Sequence, residues 1–284
     1  MIPARFDYLS PATVEEALSA LSEHGDDAKI LAGGQSLLPV LRMRLNAPEV
    51  VIDLGGIDAL KQITDDGDTI TIGAMATYYE ILAHDGVRSS LGLLHKAIGE
   101  VADPQIRHRG TLGGALVHAD PAGDCGAPTL ALDAELLVQG PNGDRTVAAA
   151  DFFEDLFTTA VGEDELLTGI RFAKYDGWGS HYEKFVRVAH QWPIVAVAAS
   201  VRLTGTTISE ARIGLTNMGS TALRATATEQ ALVGVEATAD GVRAACDQAA
   251  EGTNPPSDLN GDADYRTHLA TVLTRRAVLA AAGS

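Results

Sequence analysis

The sequence predicts an α+β fold built from three consecutive parts, and the spacing of apolar residues supports this prediction. In residues 1–54, short apolar runs of strand length alternate with helical segments, whereas residues 55–176 contain two hairpin signals. Residues 177–284 combine several strand-like runs with a long helical segment at the end. We therefore expect a small N-terminal α/β piece, a central sheet with helices, and a C-terminal antiparallel sheet with a helical cluster.

The first part opens with a helix signal. Thr13 is followed three residues later by Glu16, which is the spacing of a capping box, and apolar residues at helical spacing come next. Residues 28–32 (AKILA) and 50–54 (VVIDL) are typical of short buried strands. A Gly-Gly turn and the helical run LLPVLRMRL (37–45) lie between them. These segments predict a β-turn-α-β unit that is too small to fold alone.

The second part contains two hairpin signals separated by helices. An Asp-Gly pair at 66–67 and an Asn-Gly pair at 142–143 each lie between strand-like runs, as two-residue hairpin turns do. Residues 77–84 and 91–101 have helical periodicity, and residues 165–172 are typical of a further strand. The central part is therefore expected to hold an antiparallel sheet with helices.

The third part begins near residue 177. Strands are predicted at residues 182–188, 194–203 and 211–215, and a helix is predicted at 227–234 (ATEQALVG). The chain closes with YRTHLATVLTRRAVLAAA (265–282), whose apolar residues recur at helical spacing. This order predicts an antiparallel sheet followed by helices.

The charge of the chain argues against one class of partner. The formal net charge is −17 over 284 residues, so nucleic-acid phosphates would be repelled. Arg107-His108-Arg109 nevertheless forms a basic run in this acidic chain, which we expect to be a solvated or partner-facing patch.

The cysteines and the apolar runs bear on the compartment. Cys125 and Cys246 are the two cysteines, too few to hold an iron–sulfur cluster, which is usually bound by four thiolates. They also offer no disulfide framework, so a reducing compartment is expected. Neither a secretory signal nor an apolar stretch of about 18 residues is visible. We expect a cytoplasmic protein without a membrane span.

Two glycine-rich segments are candidates for binding an anion. Each combines a Gly-Gly pair, where backbone N–H groups can converge on an anion, with a hydroxyl residue that adds a donor. Two such segments could hold a pyrophosphate from both sides, whereas either one alone could simply be a turn. Neither fits the Rossmann or P-loop patterns. The candidate residues are Ala32, Gly33, Gly34, Gln35 and Ser36 in the first segment, and Thr111, Leu112, Gly113, Gly114 and Ala115 in the second.

In their contexts, AGGQSLLPVLRMRL and TLGGALVHADPAGD, these segments resemble the FAD-binding medium subunit of molybdenum hydroxylases, in the carbon monoxide dehydrogenase and xanthine oxidase family. The resemblance extends over nearly the whole chain, through FDYLSPATVEEAL, VVIDL, DELLTGIRF and YRTHLATVLTRRA. It implies a PCMH-type FAD-binding fold. Residues 1–54 and 55–176 would be two FAD-binding subdomains, and residues 177–284 the C-terminal domain.

The resemblance also implies roles for individual residues. The two segments would surround the FAD pyrophosphate, and Asp124 would lie at the ribitol or ribose hydroxyls. Lys184 would lie near the flavin N1 and C2 carbonyl, where a cation stabilises the anionic reduced flavin. Leu166 would line the site. The alternatives are a solvated loop carboxylate for Asp124, a surface lysine on a strand edge for Lys184, and core packing for Leu166.

Two positions depart from the common pattern of the family. Members often carry His where this chain has Gln35, and Asn where it has Ala115. Gln35 can still donate hydrogen bonds, but Ala115 can do so only through its backbone. These departures change single contacts and leave FAD as the expected cofactor.

The family implies that this chain is one subunit of a complex. A large partner subunit would hold a molybdopterin cofactor and hydroxylate the substrate, and a small partner would carry two [2Fe-2S] clusters. This chain would pass electrons from those clusters to an external acceptor, within a dimer of heterotrimers. It would supply no catalytic residue to the hydroxylation and no metal ligand. The sequence shows no catalytic triad or metal-ligand pattern, which agrees with this role.

Two alternatives remain open from the sequence. One is a self-sufficient FAD-dependent oxidase or dehydrogenase with a related flavin fold, which would need its own substrate pocket and proton-transfer group. The other is a flavin-free interaction module, against which the Gly pairs of both segments argue.

Overall fold

The structure is a computed structural model that describes residues 1–283. Its α-helices are α1 Val14–His24, α2 Leu37–Met43, α3 Tyr78–Ala83, α4 Asp85–Ser90, α5 Gly92–Gly99, α6 Pro104–Arg107, α7 Leu112–His118, α8 Gly126–Ala131, α9 Thr226–Leu232, α10 Arg243–Cys246 and α11 Ala263–Ala282. Its strands are β1 Asp7–Leu9, β2 Ala28–Leu31, β3 Val50–Asp53, β4 Ile63–Asp65, β5 Thr69–Gly73, β6 Glu135–Gly140, β7 Gly143–Ala148, β8 Phe153–Asp155, β9 Thr158–Thr159, β10 Leu166–Ala173, β11 Gly179–Phe185, β12 Val195–Thr204, β13 Thr207–Thr216 and β14 Leu223–Arg224.

The N-terminal part forms a parallel sheet with the strand order β1-β3-β2. The predicted helix is confirmed as α1, where the Thr13 hydroxyl accepts a hydrogen bond from the Glu16 amide at 3.2 Å. The two predicted strands are confirmed as β2 and β3. Strand β1 was not predicted, because its three residues show no pattern of their own and become a strand by pairing with β3.

The central part is an antiparallel sheet with the order β4-β5-β10-β6-β7. Both predicted hairpins are confirmed, and Gly67 and Gly143 adopt the positive φ angles, +92° and +101°, that such turns need. The predicted helices are confirmed as α3 and α5. Thr77 and Glu80 form a complete capping box at the start of α3. Helix α4 between them was not predicted.

The C-terminal part is an antiparallel sheet with the order β11-β12-β13-β14, against which α11 packs. The strands predicted at 182–188, 194–203 and 211–215 correspond to β11, β12 and β13. The predicted end of the first was wrong, because β11 stops at Phe185. The two predicted helices are confirmed as α9 and α11. The predicted C-terminal antiparallel sheet with a helical cluster is therefore confirmed.

Three clusters of buried apolar side chains hold these parts together. The central cluster contains side chains from the C-terminal sheet, namely Tyr182, Ala196 and Ala198. Leu166 of β10 belongs instead to the N-terminal cluster. The central and N-terminal clusters are each shared between neighbouring parts, whereas the third cluster lies within the C-terminal part. The two shared clusters hold the glycine-rich segments on one continuous body. None of the helices in residues 1–283 has the length and apolar character that crossing a membrane requires.

Candidate functional site

The first glycine-rich segment, residues 32–36, connects β2 to α2 and leaves a run of backbone donors free. Among residues 1–283 no protein acceptor bonds the four consecutive amides of residues 33–36. Gly34 has a φ of +74°, which a residue with a side chain rarely adopts. The Gln35 side chain donates to the Gly33 carbonyl at 2.8 Å, which holds the turn closed. All five residues are half-buried, and a run of free amides of this kind is what a backbone nest needs to hold an anion.

The second glycine-rich segment, residues 111–115, is a helix start rather than a free loop. Thr111 is the N-cap of α7, and its hydroxyl accepts from the Gly114 amide at 3.2 Å. The Gly113 amide donates to the Ala74 carbonyl at 3.0 Å, and the Leu112 amide is bonded to another carbonyl of the same neighbouring segment. The expectation that this segment offers free amides was therefore wrong. What it can offer a ligand is the hydroxyl proton of Thr111.

The fold brings the two segments into contact although they are far apart in the sequence. A Cβ atom at Gly33 would lie 2.1 Å from the carbonyl oxygen of Arg109, two residues before the second segment. A Cβ atom at Gly114 would lie 3.0 Å from the Cβ of Ala32. Only glycine permits the first of these approaches, because the neighbouring atom belongs to the backbone. The two Gly-Gly pairs therefore meet at one place.

A buried ion pair lies near the second segment. The Lys184 ammonium on β11 donates to the Asp124 carboxylate at 2.8 Å and to the Glu100 carbonyl at 2.9 Å. The Tyr182 hydroxyl donates to the other oxygen of Asp124 at 2.7 Å. The side chains of Lys184 and Asp124 are only 3% and 7% exposed. The alternatives of a solvated carboxylate and a surface lysine are therefore wrong, and the two residues act as a unit.

Burial shifts the pKa values of Asp124 and Tyr182. Loss of hydration raises the pKa of the Asp124 carboxyl above its ordinary value, although Lys184 and Tyr182 act in the opposite direction. Burial raises the pKa of Tyr182 well above its ordinary value, and the Asp124 carboxylate raises it further. Tyr182 therefore remains a hydroxyl donor. The pair is balanced by these bonds and adds no net charge to its surroundings.

The other predicted site residues are placed as follows. Leu166 is 3% exposed and packs within the N-terminal apolar cluster, which matches the alternative of core packing. Ala115 is half-buried on α7. Tyr182 was missed as a partner of Asp124. The sequence could have indicated Tyr182, because residues two apart on a strand share one face and Tyr182 and Lys184 have this spacing.

Comparisons with known proteins assign the family. Residues 4–174 match the model of the FAD binding domain in molybdopterin dehydrogenase, and residues 180–281 match that of the CO dehydrogenase flavoprotein C-terminal domain. The carbon monoxide dehydrogenase medium chain of Hydrogenophaga pseudoflava is 42% identical over 99% of this chain and 98% of its own length. The nicotine 6-hydroxylase medium subunit of Paenarthrobacter nicotinovorans is 37% identical over 96% of both chains.

Solved structures agree with this assignment. A chain of carbon monoxide dehydrogenase from Hydrogenophaga pseudoflava superposes with a TM-score of 0.96 at 43% identity, covering 99% of this chain and 98% of its own. A chain of quinoline 2-oxidoreductase from Pseudomonas putida 86 gives a TM-score of 0.94 at 31% identity and covers 100% and 99%. The chain therefore belongs to the FAD-binding medium chains of the carbon monoxide dehydrogenase-type molybdenum hydroxylases, and it is a flavoprotein component of an oxidoreductase.

Proposed function

We propose that this chain is the electron-transfer subunit of a three-subunit molybdenum hydroxylase. It takes electrons from [2Fe-2S] clusters on a small partner subunit and passes them to an external acceptor. A large partner holds the molybdopterin cofactor and hydroxylates the substrate. The relatives named medium chain or medium subunit support such partners, since a medium chain implies a larger and a smaller one. A dimer of heterotrimers and a cytoplasmic location belong to the same proposal.

The contact between the two glycine-rich segments is the observation that carries the proposal. The four unbonded amides of residues 33–36 and the Thr111 hydroxyl are donors, as the oxygens of a pyrophosphate require. A Cβ at Gly33 would fill the space that brings these donors together. The residues present therefore fit FAD. Ala32, Gly33, Gly34, Gln35 and Ser36 would hold its pyrophosphate together with the hydroxyl of Thr111. Leu112, Gly113, Gly114 and Ala115 would position that hydroxyl as the start of α7.

The buried pair has a separate role in this proposal. Bound FAD would supply the two-electron redox chemistry that the protein side chains lack. Asp124 would bind ribitol or ribose hydroxyls, and Lys184 would place a positive charge towards the flavin ring. Because Lys184 already shares its charge with Asp124, its effect on the flavin is expected to be modest. Leu166 would support the site through the N-terminal core.

We also propose the division of the chain into units at 1–54, 55–176 and 177–284. One apolar cluster lies wholly within the third unit, which supports its boundary, while the other two clusters are shared between neighbouring units. The two units that precede residue 177 would hold FAD, and the third would contribute Lys184.

The first test is the absorbance spectrum of this chain, co-expressed with the subunits encoded beside it. Flavin bands together with iron–sulfur absorbance in one co-eluting complex are the expected result. Flavin in this chain alone, bleached by a substrate without any partner, would favour the self-sufficient oxidase instead. A complex without flavin, even after FAD is added, would refute the proposal and favour the interaction module.

A glycine pair tests the site itself. In Gly33→Ala, the new Cβ would meet the Arg109 backbone at 2.1 Å, so the two segments must move apart and the purified complex should lose most of its FAD. Gly99→Ala is the matched control, since a Cβ there has no neighbour within 4 Å. FAD released per complex is the measurement. Equal FAD content in the two variants would contradict the proposed site.

A further inference from the structure

The candidate FAD site, as predicted from the sequence, has no cation left for the phosphates. A pyrophosphate linkage carries two negative charges, and the chain itself has a net charge of −17. Lys184 is the one cation among the predicted site residues, and its ammonium is already bonded to Asp124 at 2.8 Å and to the Glu100 carbonyl at 2.9 Å. Amides and a hydroxyl alone would face a dianion in an acidic protein. A cation fixed beside both segments would balance this charge.

Arg109 has this position because its backbone is held between the two segments. Its carbonyl oxygen lies where a Cβ at Gly33 would be only 2.1 Å away, so it touches the first segment directly. Its amide donates to the Ile106 carbonyl at 3.0 Å, which fixes it to the end of α6. Gly110 follows, packed against the ring of Tyr78, and leads into the second segment at Thr111. These contacts fix the Cα of Arg109 relative to both glycine-rich segments.

The three residues of the basic run, Arg107, His108 and Arg109, make different contacts. The Arg107 guanidinium donates to the carbonyls of Gly99 and Val101, at 3.2 and 2.7 Å, and serves the local fold. The His108 ring stacks on Tyr79 with centroids 4.0 Å apart. The Arg109 side chain is exposed and, in the part of the chain that the structure describes, it forms neither a hydrogen bond nor an ion pair with protein.

We propose that Arg109 is the cation that neutralises the FAD pyrophosphate. The inference rests on the proposed function and adds a residue to it that the glycine-rich motifs do not contain. A guanidinium matches phosphate oxygens with two parallel N–H donors, and charge-assisted bonds of this kind are stronger than amide contacts. The amides of residues 33–36 orient the phosphates, and Arg109 balances their charge.

The experiment uses the complete complex with its FAD removed and then titrated back. Arg109→Ala should weaken FAD binding by about 10- to 100-fold, the size expected for a lost hydrogen bond to a charged group. Arg109→Lys should recover part of this loss, because it keeps the charge but not the fork. Arg243→Ala is the matched control, since Arg243 is exposed and pairs only loosely, at 3.8 Å, with Asp240 in the C-terminal part.

Two further readouts separate a phosphate contact from a general defect. Riboflavin lacks the pyrophosphate, so its binding should not change in Arg109→Ala. Inorganic pyrophosphate should compete with FAD less well in that variant than in the wild type. If Arg109→Ala binds FAD within twofold of the wild-type affinity, the role of Arg109 is overturned and the proposed function is unaffected. An equal loss of FAD and riboflavin affinity would have the same meaning. A wild-type complex that binds no FAD would instead overturn the proposed function.

Discussion

The pair formed by Asp124 and Lys184 shows how single residues determine the chemistry near the site. Both are charged groups that would lose much hydration energy if they were buried alone. Each is buried because the other is present, and Tyr182 satisfies the remaining carboxylate oxygen. The pair joins the central part of the chain to the C-terminal sheet. A change in either residue is therefore expected to weaken the contact between the central part and the C-terminal sheet.

Replacing Lys184 alone should destabilise the chain more than removing the charges of both Lys184 and Asp124. Lys184→Met leaves the Asp124 carboxylate buried without its cation, and we expect the free energy of unfolding to fall by about 3–5 kcal/mol. The double variant Lys184→Met with Asp124→Asn removes both charges and should recover most of the loss. Urea titration of the purified chain measures both. A double variant as unstable as the single one would show that the pair does not act as a unit.

The α7 element illustrates a second use of a Gly-Gly pair. A Cβ at Gly113 would lie 2.5 Å from the Cβ of Ala74 and 2.6 Å from its carbonyl oxygen. Gly113 therefore lets α7 pack directly on the segment after β5, and the Thr111 hydroxyl caps the same helix. The glycines position the second segment, while the first supplies free amides.

This packing gives a prediction at the level of the element. Gly113→Ala should destabilise the chain by about 1–3 kcal/mol, because overpacking against backbone cannot be relieved by a side-chain rotation. Gly99→Ala, with nothing within 4 Å of its Cβ, should leave stability unchanged or raise it by a few tenths of a kcal/mol. Thermal unfolding of both variants is the measurement. Similar midpoints for the two would refute the role given to Gly113.

A pH dependence is expected from the pair that ties β7 to the start of β10. Arg145 on β7 bonds both oxygens of Glu165, and this contact lowers the pKa of the Glu165 carboxyl. A lowered folded-state pKa stabilises the protein fully above the ordinary glutamate pKa, 4.5, and the contribution is lost as the pH falls through the lowered value. The pair is partly exposed, so the contribution is about 1 kcal/mol or less.

Glu165→Gln tests this pH dependence. The difference in unfolding free energy between wild type and variant should be present at pH 7 and shrink as the pH falls below about 4.5. Urea titrations of both proteins at several pH values measure it. A difference that stays constant down to pH 3 would show that the Glu165 charge is not the cause.

The whole molecule depends on cores that cross the boundaries between its parts. Tyr182, Ala196 and Ala198 of the C-terminal sheet pack within the central cluster. Separation at residue 176 would expose the central cluster and leave Asp124 without Lys184 and Tyr182. Residues 1–176 are therefore not expected to fold independently of the C-terminal sheet.

A chain that ends at residue 176 should fail to fold stably. It loses apolar partners of the central cluster and keeps a buried carboxylate without its cation. Both the hydrophobic and the electrostatic contributions to the free energy of unfolding therefore decrease. Circular dichroism and urea titration, compared with the full chain, are the measurements. A cooperative transition at the midpoint of the full chain would contradict the shared core.

The sequence by itself determined the local features of this protein. Thr13 with Glu16 and Thr77 with Glu80 start helices, and the turns at Gly67 and Gly143 close hairpins. In each case the interacting groups lie within a few residues of each other, so their hydrogen bonds and φ angles can be predicted from the chain. The glycine-rich motifs also identified the FAD-binding family, since together they are specific to it.

Only the tertiary structure decided how distant residues act together. Strand β1 exists because it pairs with β3, more than 40 residues away. Asp124 and Lys184 are 60 residues apart, so each had a separate predicted role and no local pattern indicated that they pair. The close approach of Gly33 to the Arg109 carbonyl is of the same kind. Burial, charge balance and close packing are properties of residues that meet in space, and no local pattern in the chain records which residues those are.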